Sequence, residues 1–581
     1  MNLRYYLTFF LILLYSISVF GQWSNDPLQN LAVADTSGEQ ILPKISATTD
    51  GGCFISWFDS RNGNYCVYLQ RLNSLGEPQF AHNGLLISSH PQQTWLTDYD
   101  MCVDGNDNAI IVFNDIRNGG NSDWDIFAYK IGSDGSFLWG ADGIGLSDTT
   151  VSDFEVAPKV TATELNNTVI TWLKSGTLDQ IAIQKISPNG QKLWGDYGIT
   201  LQPGASARLS APDLVPAADD SVIMIWKSST GPAWAPTTYM YTQKFNPAGN
   251  PAWNPNGVLI YNLGAISAWA YPEIYPDGRS GAFFCWYDAP SLSEFNVWMQ
   301  HVNGNGQLSF PVNGIQGSIA TNALHMYPTL SYLAQTDEIY LFWIEESFNQ
   351  DMFGIYGQKF SPQGARLWTD SGKQYKALGG NTISFLTSVP SDTGVFLAYF
   401  ESSAPNAFDA AVKAFRIKRN GNLIWDSQLL SSASLGNKDD LLMVLNSENR
   451  AFLTWDDDRH NNGDIYAQNI NPDGSLGAMP TIISNDIHNV PTKFYLKQNY
   501  PNPFNPNTTI EFDLPEASQV SLKVFTVTGE EVATIVSDRL SAGTYKYQWD
   551  ASRAVGLASG IYIYQLKTGN IIQTKKMILM K

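Results

Sequence analysis

The chain has 581 residues, 13% of them aromatic and only 15% charged, with 47 glycines and 29 prolines. That mix suits many short strands joined by tight turns, is too apolar for a disordered chain, and allows either several ordinary domains or one large repeat domain plus a smaller one. The formal charge of −19 is spread along the sequence, which disfavours nucleic-acid binding, because phosphate neutralisation needs clustered Lys and Arg.

Residues 1–21 open with one arginine, Arg4, ahead of a short apolar core, and Val19 and Gly21 stand at the −3 and −1 positions of a cleavage site. The core is short for a membrane anchor and a small-residue exit follows it. The segment therefore reads as a signal peptide, and no other stretch approaches the length of a transmembrane segment.

From residue 22 to 487 the sequence is periodic. Trp57, Phe113, Trp172, Trp226, Trp286, Trp343, Tyr399 and Trp455 recur at intervals of 56, 59, 54, 60, 57, 56 and 56, inside short apolar runs such as CFISWFD and FLTWDD. Gly76, Gly135, Gly190, Gly249, Gly306, Gly364, Gly421 and Gly474 keep step with them, closing turns such as SDG, PNG and RNG that need positive φ. Four residues after each of the first seven glycines stands another aromatic: Phe80, Trp139, Trp194, Trp253, Phe310, Trp368 or Trp425. Ala478 breaks the rule in the eighth unit. An apolar stretch precedes each first marker, often opening at proline (Pro43, Pro158, Pro212, Pro272, Pro328), and a further strand such as YCVYLQRL lies between marker and glycine.

Each unit is thus four short strands, a to d, and four strands at this period predict propeller blades whose small sheets bury their faces against their neighbours. The expected fold is all-β: an eight-bladed β-propeller, alternatively seven-bladed if one unit is degenerate, followed by a small β-sandwich. Tandem sandwiches are a third option, although their period is normally nearer ~100 residues. The aromatic markers are then mostly core between blades. Trp23 to Pro43 has the layout of Trp139 to Pro158, so Trp23 is a candidate for the aromatic missing at Ala478, with the mature N-terminus completing the last blade; TIISN (481–485) is its rival. The four cysteines, Cys53, Cys66, Cys102 and Cys285, show no CxxC spacing, and the hairpin register sets Cys53 away from Cys66, so buried free thiols are expected.

Two residues past the marker, six units carry an acid: Asp59, Asp115, Asp288, Glu345, Glu401 and Asp457; Lys174 and Ser228 stand there in the third and fourth. Three of the loops that follow are near-copies, DSRNGN (59–64), DIRNGGNSDWD (115–125) and DDDRHNNGD (456–464), from units that are consecutive in a closed ring. Asp59, Arg61, Asp115, Arg117, Asp125, Asp457, Arg459 and Asp464 are therefore the candidate ligand-binding residues. The competing reading is a recurrent turn held by an Asp–Arg pair and Asx hydrogen bonds. No cofactor is expected. Calcium is the alternative, since the loops are oxygen-rich, yet none fits D-x-[DN]-x-[DN]-G with a distal Glu. Enzyme signals are poor: six scattered histidines without HExxH, no GxSxG elbow and no phosphate-binding glycine loop.

Residues 488–497 read as a linker and 498–581 as a separate domain. From Lys493 the composition shifts to ten basic against seven acidic residues, and alternating runs predict about seven strands in a small sandwich. The runs Gln498-Asn499-Tyr500-Pro501-Asn502-Pro503-Phe504-Asn505-Pro506, Gly543-Thr544-Tyr545, Trp549-Asp550, Leu557-Ala558-Ser559-Gly560-Ile561-Tyr562 and Lys576-Met577-Ile578-Leu579 closely resemble the C-terminal sorting domain of the type IX (Por) secretion system. The resemblance implies an Ig-like fold, export across the inner membrane by the signal peptide, and transfer across the outer membrane by the type IX machinery. Release or surface attachment follows, commonly with removal of the tail.

The sequence therefore reads as an exported or surface protein whose propeller binds a glycan, another polymer or a protein partner. The alternative is a secreted polysaccharide hydrolase or lyase using acidic residues at the propeller mouth.

Overall fold

The structure is a computed structural model. It describes residues 22–477 and 493–580, apart from 93–97, 119–122, 149–153, 177, 205, 233–234, 268–269, 404–408, 426–427, 517, 541, 552–556 and 570. The expected signal peptide and the TIISN segment lie outside the described residues. The chain divides into two compact units, separated in sequence between Gly477 and Ala478. The regular elements among the described residues are all β-strands, and no helix is long and apolar enough to cross a membrane.

Eight four-stranded antiparallel sheets make up the first unit. Gln40–Ala47, Cys53–Asp59, Tyr65–Leu72 and Leu85–Gln92 form the first as a simple meander, a-b-c-d, and the next six sheets repeat it. The eighth is assembled from both ends of the unit. Lys438–Leu445, Ala451–Asp457 and Asp464–Ile470 supply three strands, and Leu31–Ala34 pairs with the last of them in the register Leu31↔Ala467.

The periodic aromatics explain how the sheets stack. Trp57, Phe113, Trp343, Tyr399 and Trp455 are fully buried in the middle of strand b, in cores shared by neighbouring sheets. Truncating such a side chain to alanine typically costs about 3–5 kcal/mol. The second aromatic series locks each sheet to the turn of the next. A Cβ on Gly190 would lie 3.1 Å from Trp139, one on Gly306 2.6 Å from Trp253, and one on Gly76 2.8 Å from Trp23. These glycines also hold φ of 86°, 78° and 82°, so both space and conformation demand the missing side chain. The indole N–H of each tryptophan completes the contact: Trp139 donates to the Pro188 carbonyl at 3.1 Å, Trp253 to Gly304 at 3.0 Å and Trp23 to Ser74 at 3.1 Å. Trp23 thus does before Gly76 what Trp139 does before Gly190. All four cysteines are free, and Cys53 pairs with Leu72 in the ladder rather than facing Cys66.

Strand a carries a bulge in six of the sheets, where the register slips at Ile41/Lys44, Val156/Lys159, Ser210/Asp213, Met326/Thr329, Ser384/Thr387 and Asp439/Leu442. The first bulged residue is left-handed each time although none is glycine: Leu42, Ala157, Ala211, Tyr327, Phe385 and Asp440 have φ between 49° and 55°. Such backbone costs on the order of 1–3 kcal/mol per residue and persists where surrounding structure imposes it, often beside functional sites. Proline follows in four of them because the next position is unpaired and needs no N–H.

In the second unit, strands Tyr495–Leu496, Asn507–Leu514 and Gly543–Asp550 form one sheet, and Ser518–Thr526, Glu531–Leu540, Gly560–Thr568 and Ile571–Leu579 form the other. Both bury their apolar alternates in one core. The proline-rich run is tied to it by two side chains. Buried Asn499 donates to Thr508 Oγ1 at 2.9 Å, and Phe504 packs on Trp549 while its N–H bonds Ile578 O at 3.0 Å.

Candidate functional site

The three similar loops fold the same way. Asp59 accepts from the Trp57 indole at 3.0 Å, from the Arg61 backbone at 2.9 Å and from the Arg61 guanidinium, which lies 4.0 Å above the Tyr68 ring. Asp115 pairs with Arg117 at 2.6 Å, and the guanidinium covers Phe127 at 3.6 Å. Asp457 accepts from Trp455 at 3.1 Å, pairs with Arg459 at 2.5 Å and Lys438 at 3.1 Å, and Arg459 covers Tyr466 at 3.8 Å. All three carboxylates are at most 1% exposed. Burial alone would raise the Asp457 carboxyl, but Arg459 and Lys438 hold it below its ordinary range.

Asp125 and Asp464 close two of these loops and are buried, accepting from Asn118 at 2.6 Å and Asn461 at 2.8 Å. Burial pushes Asp125 up to about 6, and the nearby Asp123 and Glu155 add to the rise. The first and eighth loops are neighbours, since Gln40, ladder partner of Asp59, donates its N–H to Gly463 O at 2.9 Å. Each Arg therefore folds back onto its own strand c rather than outward.

Other sheets neutralise the same position with other chemistry. In the third, Lys174 replaces the acid and Glu155 crosses from strand a, accepting from Lys174 at 2.7 Å and the Trp172 indole at 2.8 Å. Asp288 accepts from Tyr261 at 2.7 Å, and Glu401 pairs with Lys376 at 2.7 Å and Lys413 at 2.5 Å. Each of these acids is met by neighbouring side chains.

A different set of residues faces the space between the sheets. In all eight, the strand-a residue that pairs with the position just before the aromatic marker is structurally equivalent: Lys44, Asp100, Lys159, Asp213, Glu273, Thr329, Thr387 and Leu442. Two residues earlier stand Leu42, Asp98, Ala157, Ala211, Tyr271, Tyr327, Phe385 and Asp440. Charges concentrate in the first five sheets; aromatic and hydroxyl groups take over from the fifth to the seventh.

On the charged side, Asp98 bridges Lys44 at 2.6 Å and Lys159 at 3.1 Å. Burial opposes its ionisation, yet Lys159 and Lys44 hold its carboxyl well below the usual range. Burial likewise raises Asp100, and pushes Asp213 up to about 6 against the pull of Lys159. Glu273 rises to about 7, chiefly because the surrounding protein desolvates it, with a contribution from Asp213, although its side chain is exposed to the cavity it lines. In the eighth sheet, Asp440 rises to about 6 through burial and the adjacent Asp439.

Glu273 also lines a cavity of ≈ 890 Å³ walled by the inner strands of the fifth to eighth sheets. Tyr271, Tyr327 and Phe385 open into it, 66%, 49% and 42% exposed, beside Tyr275, Thr329, Ser388 and Leu442. Tyr275 donates to Glu273, Ser388 lies 3.1 Å from Thr329, and the Leu330 N–H donates to the Tyr275 hydroxyl at 3.2 Å, so the polar groups form one connected wall. This wall escapes a reading by loops. Its signal was the residue after Pro272 and Pro328, which is Glu273 or Thr329. Among the described residues, no group of three or more His, Cys, Asp and Glu side chains is placed to hold a metal ion.

Several solved structures resemble the chain at low identity. An ulvan lyase of polysaccharide lyase family PL25, bound to -[GlcA(1-4)Rha3S]-, gives a TM-score of 0.43 at 9% identity, over 68% of this chain and 96% of its own. The polysaccharide lyase Uly1 gives 0.38 at 8%, over 76% and 91%. An α-L-arabinanase from Penicillium chrysogenum with arabinobiose gives 0.31 at 12%, over 53% and 92%. No curated protein matches the sequence. Residues 498–580 match the family model of the secretion system C-terminal sorting domain, so the chain ends in a type IX sorting domain and is a secreted or cell-surface protein exported by that system.

Proposed function

We propose that residues 22–487 are a single propeller of eight blades, closed by Leu31–Ala34, and that its inner cavity binds a glycan once the protein is outside the cell. Residues 488–497 then serve as the linker and 498–581 as an Ig-like sorting domain, with 1–21 removed on export. Three features support the ring: the eight four-stranded sheets, the N-terminal strand in the eighth, and Trp23 in the place of the missing aromatic. The Asp–Arg loops hold turns, and the ligand sits on the inner strands.

The observation that carries the binding reading is the cavity itself. Saccharides are held by aromatic faces against C–H surfaces and by polar groups that meet their hydroxyls. Tyr271, Tyr327 and Phe385 offer the first, and Thr329, Ser388 and Glu273 the second. Titration of the full mature chain with a panel of oligosaccharides tests this. The double variant Tyr327→Ala/Phe385→Ala should bind about ten- to a hundredfold more weakly, as truncated aromatic anchors do, with its melting transition little moved. A double variant that binds like the parent sinks the reading.

A second reading is a hydrolase or lyase acting on the same polymer. It rests on Glu273, at about 7 poised to give or take a proton near neutral pH, with the Asp213 carboxyl contributing to its shift. Release of new reducing ends by the parent chain, lost in Glu273→Gln, would establish it; binding without any product leaves the binding module.

A further inference from the structure

We infer that the cavity takes saccharide segments without carboxylate or sulfate groups and rejects polyanionic chains. This rests on the glycan reading above and narrows its ligand class.

Among the described residues the wall contains no cation. Its charged groups are two carboxyls, Glu273 and Glu346, and the rest is aromatic, aliphatic and hydroxyl. Lysines on neighbouring strands are already engaged. Lys44 and Lys159 both hold Asp98, and Lys159 also feels Asp100 and Asp213. Lys227, behind the Tyr271 ring at 5.1 Å, is 3% exposed and donates to the Ala270 carbonyl at 3.1 Å.

An anionic residue entering the cavity would therefore meet carboxyls with no guanidinium or ammonium to answer it. Like charges brought together in a partly desolvated site are strongly disfavoured and are a standard source of discrimination. Glu273 already shows that penalty: burial, with a contribution from the Asp213 carboxyl, raises it to about 7. A sugar hydroxyl has the opposite effect. It donates to a carboxylate or accepts from a carboxylic acid, so Glu273 can serve a neutral glycan in either state. The aromatic arc adds a face that binds C–H surfaces irrespective of charge.

The test uses the full mature chain at pH 7 with oligosaccharides matched in ring stereochemistry but not in charge. Oligomannose is set against oligomannuronate, oligogalactose against oligogalacturonate, and neutral against sulfated galactan oligomers. The neutral member of a bound pair should be tighter by at least about tenfold, with little dependence on salt. Glu273→Gln should narrow that gap by admitting the anionic member. Equal or tighter binding of the anionic members, weakened by Tyr327→Ala/Phe385→Ala, overturns this inference and leaves the glycan site standing. Failure of both sets to bind overturns the glycan reading and this inference with it.

Discussion

The Asp–Arg loops and the inner cavity are both built on charged residues at equivalent positions of successive sheets, and they differ in how completely those charges are answered. In the loops the three Asp–Arg carboxylates are sealed by their own neighbours, while Asp125, raised to about 6, keeps a buried Oδ1 without a hydrogen-bond partner. Asp457 has Trp455, Arg459 and Lys438, and the guanidinium is itself covered by Tyr466. On strand a, Lys44 and Lys159 share Asp98, while Asp213 and the cavity-lining Glu273 stay under-neutralised and shift toward neutral pH. Under-neutralised carboxyls are a mark of candidate sites, and Glu273 combines one with an open cavity.

The sharpest way to break that comparison is to remove a clamp. Asp457→Ala would leave Arg459 and Lys438 buried without their carboxylate, and losing one partner of a buried ion pair costs about 3–5 kcal/mol. Chemical denaturation should show that loss. A change near zero would mean that the loops are not the structural region.

A smaller effect separates the two regions by pH. The Asp457 carboxyl is lowered in the folded state, so its contribution is present above the unfolded value and lost as pH falls through the folded one. Glu273 is raised to about 7 from an unfolded value near 4.3, so its contribution is full below about pH 4 and lost as pH rises through 7. Stability measured from pH 4 to 8 should therefore decline toward neutrality from the cavity side, and Glu273→Gln should flatten the decline. An unchanged slope in that variant would place the titrating group elsewhere.

The smallest effect is a control outside both regions. Arg279 and Asp337 form an exposed pair at 3.4 Å, and such pairs contribute little. Arg279→Ala should alter neither melting nor saccharide titration within error.

Much of the fold was legible from spacing. The buried tryptophans, the glycine turns and the role of Trp23 follow from the period, because one aromatic must fill each gap between sheets and only glycine fits beneath the next. The sorting domain was legible from its motifs. The loop residues were found, but the direction of Arg61, Arg117 and Arg459 was not, since it depends on Tyr68, Phe127 and Tyr466 across the hairpin. The cavity was missed for a different reason. The bulge at Leu42, Ala157 or Tyr327 inserts a residue into strand a and breaks the two-residue alternation by which an inward face is recognised. Lys44, Lys159 and Thr329 then look like isolated polar residues in apolar strands.

The most direct test of the central claim is a crystal structure of the mature chain with the tightest-binding oligosaccharide of the panel. The account predicts the sugar in the cavity, with a ring stacked on Tyr327 or Phe385 and hydroxyls at Glu273 and Thr329. A saccharide seated on the loops of Asp59, Asp115 and Asp457, with the cavity empty, would contradict it.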